Sequence, residues 1–207
     1  MSDAANVKKP IIAIDIDDVL AAEAAFVIAY SNQHWNHRLT VDDYQEFWEA
    51  MWSVDHDEAE RRSIELHAPG VEGSYEPLAG ACAALERLRE RFNLAVVTSR
   101  REMVRQETLD WLDRQIGKDV FSQVVFTGIW DTGVVGAHQL TKTEILRSFG
   151  VSYLVDDQLK HCRAAAESGV RAVLFGNYPW NQADSLPDGV VRCADWAAVE
   201  EYFDGLS

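Results

Sequence analysis

The sequence predicts an α/β fold: a doubly wound, Rossmann-like parallel sheet of about five strands, with a helical segment inserted after the first strand. Three observations predict it. Apolar runs of strand length recur at IIAI (11–14), LAVV (94–97), VVF (124–126), YLV (153–155) and AVLF (172–175), and they are rich in β-branched residues. Helical patterns lie between most of these runs, and strands that alternate with helices form sheets covered on both faces. The stretch 20–76, about 57 residues, separates the first strand from the next core helix, which is too long for an ordinary connection and contains no strand-like run.

Each element has its own signal. The inserted stretch reads as helices over roughly 20–36, 40–52 and 55–67, followed by a turn at Pro69-Gly70, and Thr40 before Val-Asp-Asp is a plausible helix start. Residues 78–91 place Ala81, Leu85 and Leu88 on one face. Residues 101–116 carry Val104, Leu109, Trp111, Leu112 and Ile116. Shorter helical patterns cover 139–149 and 159–168, the second ending at Gly169, and 194–204 reads as a closing helix.

Composition narrows the function classes. Of the 207 residues, 47% are apolar, enough for a packed core. A formal net charge of −15 would repel the phosphates of a nucleic-acid polymer and an anionic membrane. It leaves room for a small phosphorylated ligand in a locally positive pocket. The three cysteines, Cys82, Cys162 and Cys193, form no CxxC pair, so they read as buried thiols in a reducing compartment. No stretch approaches the ~20 apolar residues that span a bilayer, and MSDAANVKKP lacks an apolar signal core, so the chain reads as a cytoplasmic protein.

The chemistry lies where the strands end. In IIAIDIDDVL, side chains alternate, so Asp15 and Asp17 share a face while Ile16 points away. Both sit at the carboxyl end of the first strand, where open α/β sheets bind ligands. YLVDD repeats the pattern with Asp156 and Asp157. If these strands are neighbours, four carboxylates converge, and two charges 4 Å apart repel by about 1 kcal/mol in water and up to ~4 near a protein surface. Protonation or a bound cation relieves this, and a hard, oxygen-preferring ion such as Mg²⁺ is the simple solution. Asp18 also reads as a helix cap. LAVV ends in Thr98-Ser99-Arg100, whose hydroxyls and backbone N–H groups suit a phosphate. Lys142 opens a helix, where the macrodipole disfavours a cation, and it precedes the strand carrying Asp156 and Asp157.

Together these residues resemble the haloacid-dehalogenase (HAD) superfamily of phosphohydrolases. The DxD of Asp15-Ile16-Asp17, the strand ending in Thr98, Lys142 before a helix and the Asp156-Asp157 pair occur in that superfamily's order. YEPLAGACAALERLRERFNLAVVTS, LVDDQLKHCRAAAESGV and AVLFGNYPWN are most similar to the cytosolic 5′(3′)-deoxyribonucleotidase group, with Asp18 where that group usually carries glycine. The resemblance implies a HAD-type catalytic core of 1–19 and 77–207 with a cap of 20–76. It also implies a Mg²⁺-dependent phosphomonoester hydrolase acting through an aspartyl-phosphate. Asp15 would be the nucleophile and Asp17 the acid–base. Asp15, the Asp17 carbonyl and Asp157 would hold Mg²⁺, with Asp156 in support. Thr98 and the Ser99 amide would hold phosphoryl oxygens, and Lys142 would balance charge on the nucleophile and the transferring group. Dehalogenases of the superfamily lack the acid at the Asp17 position.

The alternatives that share these residues are a phosphatase or phosphotransferase acting on another small phosphorylated metabolite, and a non-catalytic binding protein on the same fold. Phe26, Tyr30, Trp35, Tyr44, Phe47, Trp48 and Trp52 either form the inserted segment's own core or stack on a nucleobase. His34 and His37 read as surface, and Arg61-Arg62 as either a solvated face or an attractor of an anionic substrate.

Overall fold

The structure, a computed structural model, describes residues 9–129, 131 and 140–206. The reading of the first eight residues, and residue 139 of the expected 139–149 helix, lie outside that range. The strands are β1 (Ile11–Ile14), β2 (Asn93–Thr98), β3 (Gln123–Phe126), β4 (Tyr153–Asp156), β5 (Arg171–Phe175) and β6 (Val190–Cys193). They form one sheet in the order β3-β2-β1-β4-β5-β6, and every pairing is parallel. β6 adds an edge to the five strands expected; its VVRC sequence carries Arg192 at a half-buried position and is too short and polar to stand out.

β1 lies at the centre, and its apolar run alternates between two cores. Ile12 and Ile14 join Val96, Val155, Trp111, Trp196 and Phe203 on one face. Ala13 joins Val97, Leu154, Ile145, Leu146 and Cys162 on the other. The first face is covered by α4 (Ala81–Leu88), α5 (Arg105–Gln115) and α8 (Trp196–Asp204), the second by α6 (Lys142–Ser148) and α7 (Leu159–Glu167). The chain winds outward from β1 in both directions, so the boundary between β1 and β4 is the point where strand order reverses.

Between β1 and α4 run α1 (Glu23–His34), α2 (Trp48–Trp52) and α3 (His56–Leu66). They enclose a third core of Ala24, Val27, Tyr44, Met51, Trp52, Ala59 and Leu66. The Trp52 indole donates to Ser31 Oγ at 2.9 Å, so this core keeps its buried polar atoms paired. The single helix expected over 40–52 is instead a 3-10 turn at Val41–Asp43 followed by α2. Tyr44 breaks it: its backbone is extended, its ring is buried, and its hydroxyl donates to Glu23 Oε2 at 3.0 Å. The two crossings into and out of the helical stretch lie side by side, with Ala22 N donating to Glu76 O at 2.9 Å and Leu78 N to Leu20 O at 2.8 Å. Cys162 and Cys193 are buried as expected, whereas Cys82 is exposed on α4. Among the described residues no helix is long and apolar enough to cross a membrane.

Candidate active site

Register places the first acids. Asp15 follows Ile14, which pairs with Val155, and its backbone N–H donates to Val155 O at 3.0 Å. Asp15 therefore shares the parity of Ala13, and Asp156 that of Leu154, both on the face covered by α6 and α7. A capping box starts α6: Thr141 Oγ1 accepts from Glu144 N at 3.2 Å, while Glu144 accepts from Thr141 N at 2.8 Å. This fixes Lys142 at the first helical position. Its ammonium donates to Asp15 Oδ2 and Asp156 Oδ2, each at 2.7 Å.

Electrostatics follow from this geometry. Burial alone would push Lys142 down, yet the carboxylates of Asp15 and Asp156 outweigh it and hold the ammonium above its usual range. Burial pulls Asp156 upward as well, but Lys142 and His161 win and keep its carboxyl below the usual range. Burial pushes Asp15 up to about 6, against Lys142 and with help from the charges on Asp156 and Asp17. Burial and the neighbouring Asp156 and Asp15 charges push Asp157 well above the usual range.

Oxygens of Asp15, Asp156 and Asp157 lie within 4.8 Å of one another, all three residues buried. With one ammonium among them, the ionised set carries a surplus of two negative charges. Hard oxygen donors with that surplus match a divalent cation such as Mg²⁺ or Ca²⁺. Asp156 is the most occupied of the three, accepting from Lys142, from Gln158 N at 2.8 Å and lying 3.2 Å from His161 Nδ1. Asp157 Oδ2 accepts from Gln158 Nε2 at 2.9 Å and from the Trp180 indole at 2.6 Å.

The acids open into a cleft of about 440 Å³ whose floor includes Asp15, Asp17, Asp157 and Lys142. Ser99 lines it too, with a buried hydroxyl that has no partner. Thr98 is fully buried and stands behind the wall, its Oγ1 accepting from Arg100 N at 3.1 Å. The opposite wall comes from the helical stretch and includes Tyr44, Phe47 and Trp48. Asp18 caps α1, accepting from Ala24 N at 3.1 Å, and its left-handed φ of 54° is the conformation that glycine adopts without strain. Tyr178 and Trp180 stack at 4.5 Å beside the site, and Tyr178 donates to Asp18 O at 2.9 Å. A Cβ at Gly176 (φ +79) would lie 2.2 Å from the Tyr178 ring, so the aromatic pair requires that glycine.

The histidines read as surface, and the arginine pair read as either a solvated face or an anion attractor, lie away from the acids. His34 is exposed and stacks on Tyr30 at 4.1 Å. His37 accepts from Arg62 at 2.8 Å. Arg61 and Arg62 are committed to Glu58, and neither lines the cleft. Sequence reasoning gave no role to Arg100, Glu72, His161 or Trp180. Arg100, buried, donates to Asp17 Oδ1 at 2.6 Å through Nη2 and at 3.1 Å through Nε. Its position directly after Thr98-Ser99 was the available signal.

The family described as "5' nucleotidase, deoxy (Pyrimidine), cytosolic type C protein" matches residues 9–203 of this chain. "Putative nucleotidase YqfW" from Bacillus subtilis is 24% identical over 205 residues, covering 92% of each chain. Among solved structures, the haloacid dehalogenase-like hydrolase SP0104 from Streptococcus pneumoniae superposes with a TM-score of 0.68 at 14% identity, over 94% of this chain and 98% of that one. A D,D-heptose 1,7-bisphosphate phosphatase from B. bronchiseptica, complexed with magnesium and phosphate, superposes with a TM-score of 0.56 at 17% identity, over 96% and 99%.

Proposed function

The chain belongs to the cytosolic type C 5′-deoxynucleotidase family of HAD phosphohydrolases, and on that premise we propose that it hydrolyses a nucleoside monophosphate, with Mg²⁺ and through a phosphorylated Asp15. The observation that carries this reading is the convergence of Asp15, Lys142 and Asp157 on the floor of a cleft whose facing wall is aromatic. In this reading residues 1–19 and 77–207 are the catalytic core and 20–76 the cap, whose two crossings at 20–22 and 76–78 lie side by side. It acts in the cytoplasm, in keeping with the family's cytosolic description.

An Asp15 carboxylate oxygen attacks phosphorus, and the bond to the ester oxygen breaks. The Ile16 N–H on Oδ1 and Lys142 on Oδ2 hold the carboxylate in one orientation for that attack. Asp17 delivers a proton to the departing alcohol oxygen and then takes one from the water that attacks phosphorus, breaking the Asp15–phosphorus bond and releasing inorganic phosphate. Lys142 and Ser99, through its hydroxyl and backbone N–H, receive phosphoryl charge, with Thr98 supporting that turn from behind. Bound at Asp15, the Asp17 carbonyl and Asp157, with Asp156 bracing the set, Mg²⁺ would neutralise charge on the transferring phosphoryl group. Closure of the cap excludes bulk water.

The test is phosphate release from a panel of nucleoside monophosphates and other phosphoesters, with acid quenching to trap phosphoenzyme. Trapped phosphate on the wild type, and loss of turnover in Asp15→Asn, support the proposal. Turnover that survives Asp15→Asn rejects it.

A further inference from the structure

Asp17 lies beyond the end of β1, and the contact that orients its carboxylate comes from the loop that follows β2. Arg100 Nη2 and Nε reach Asp17 Oδ1 at 2.6 and 3.1 Å, and Nε also lies 3.1 Å from Oδ2. A planar guanidinium that engages both carboxylate oxygens fixes the plane of the acid as well as its distance, which an ammonium cannot do. The guanidinium is itself fixed from a third direction. Its Nη1 donates to Thr108 on α5 at 3.2 Å and lies 3.1 Å from Glu72 Oε2, an ionic contact without hydrogen-bond geometry. Glu72 and Arg100 are 4% and 6% exposed, so this pair is screened from water.

Glu72 belongs to the segment returning from the helical stretch, and that segment is clasped to the core. Glu107 on α5 accepts from Gly73 N at 2.6 Å and from Gly70 N at 3.1 Å. Arg114 donates to Gly73 O at 2.6 Å. A Cβ at residue 73 would lie 2.8 Å from Glu107 Oε1, so the carboxylate packs directly against the glycine. The chain of contacts runs from α5 through the return segment and Glu72 to Arg100, and ends on Asp17.

We propose that Arg100 is a positioning residue for the acid–base Asp17, with Glu72 holding the guanidinium from the return segment, so that the Asp17 carboxyl is presented to the departing oxygen in one orientation. The inference rests on the phosphohydrolase reading above. The step it serves is balanced: an Asp15 oxygen bonds to phosphorus, the bond to the ester oxygen breaks, and the Asp17 proton passes to that oxygen, releasing an alcohol.

Leaving groups separate positioning from mere folding. An alkyl phosphate needs that proton, whereas p-nitrophenyl phosphate leaves as a stable phenolate. The parameter kcat/KM covers the steps through alcohol release, so it omits the later use of Asp17 as a base. The experiment measures kcat/KM of the full chain with Mg²⁺ on a nucleoside 5′-monophosphate and on p-nitrophenyl phosphate, for wild type, Arg100→Lys, Arg100→Ala and Glu72→Gln. A general acid is worth about 10²–10⁴-fold. The expected result is a loss of roughly 10²-fold in Arg100→Lys on the alkyl ester, with at least a tenfold smaller loss on the aryl ester. Arg100→Ala regains alkyl-ester turnover with millimolar guanidinium, and Glu72→Gln, which removes one charge and little volume, moves the same ratio by about tenfold.

Equal losses on both esters, or an unchanged ratio in Glu72→Gln and Arg100→Lys, overturn the inference while leaving the hydrolase reading intact. A wild type that turns over neither ester, or an active Asp15→Asn, overturns the hydrolase reading itself and the inference with it.

Discussion

The Trp180 indole donates a 2.6 Å hydrogen bond to Oδ2 of Asp157, joining a ring from the loop after β5 to the acid that follows β4. Trp180 stacks on Tyr178 and also meets Tyr44 of the helical stretch at 4.8 Å. One side chain therefore touches a candidate cation ligand and the wall that faces it. Asn181 reinforces the placement, donating to Asp157 O at 3.0 Å.

Trp180→Phe keeps an aromatic ring and removes the donor. Partners that orient a metal-binding carboxylate are worth about 10–100-fold in metal affinity. The expected outcome is that much weaker Mg²⁺ binding, read from the Mg²⁺ dependence of the melting temperature, since a ligand of the native state stabilises by mass action. An unchanged midpoint rejects the role.

Lys142 is the cation among three buried carboxylates. Removing one partner of a buried ion pair leaves an uncompensated charge and costs about 3–5 kcal/mol. Lys142→Met is expected to lose that much stability in urea titrations with EDTA, and to recover part of it with Mg²⁺. A variant as stable as the wild type without metal would show that the ammonium does not hold the acids together.

The legible part of this site was the part written in local periodicity. Alternation in IIAIDID put Asp15 on the Ala13 face, and the repeat in YLVDD put Asp156 beside it, because both strands obey one pleat. The T-x-x-E of Thr141 and Glu144 marked where Lys142 begins a helix. Arg100 and Glu72 were not legible as partners of Asp17, since the Arg100–Asp17 contact spans 83 positions and leaves no local pattern. The helix expected over 40–52 failed because burial of Tyr44 overrode local propensity. β6 was missed because an edge strand with Arg192 in it has neither an apolar run nor strict alternation.

Acidity has an opposite sign at Asp18 from that at an ordinary surface carboxylate. Burial pushes Asp18 up to about 8, Ala24 N–H pulls against it, and the charges on Asp17 and Asp15 add to it. An acid whose folded pKa is raised binds more protons folded than unfolded between about pH 4 and 8, so its contribution to stability falls as pH rises through that window. Asp18→Asn never ionises, still accepts from Ala24 N, and tolerates the left-handed backbone. In EDTA the variant should gain on the wild type between pH 5 and 9 by roughly 1–3 kcal/mol, since each tenfold change in proton affinity is worth about 1.4 kcal/mol. Urea unfolding at pH 5, 7 and 9 measures it, and parallel pH curves for the two proteins would refute the sign.

The aromatics of the helical stretch divide between two jobs, and the division predicts where specificity lies. Tyr44 and Trp52 are buried in the third core, so their loss would unfold that stretch. Phe47 is 63% exposed and lines the cleft, as does Trp48. On the proposed reading, a flat, apolar substrate group would cover that ring when bound. Stacking of a base on an aromatic side chain is worth about 1–3 kcal/mol. Phe47→Ala should therefore raise KM for a nucleoside monophosphate by roughly 5–150-fold, with KM for glycerol phosphate and the melting temperature almost unchanged. If both KM values rise together, the ring shapes the cleft without reading a base, and the nucleotide assignment loses its support on that wall.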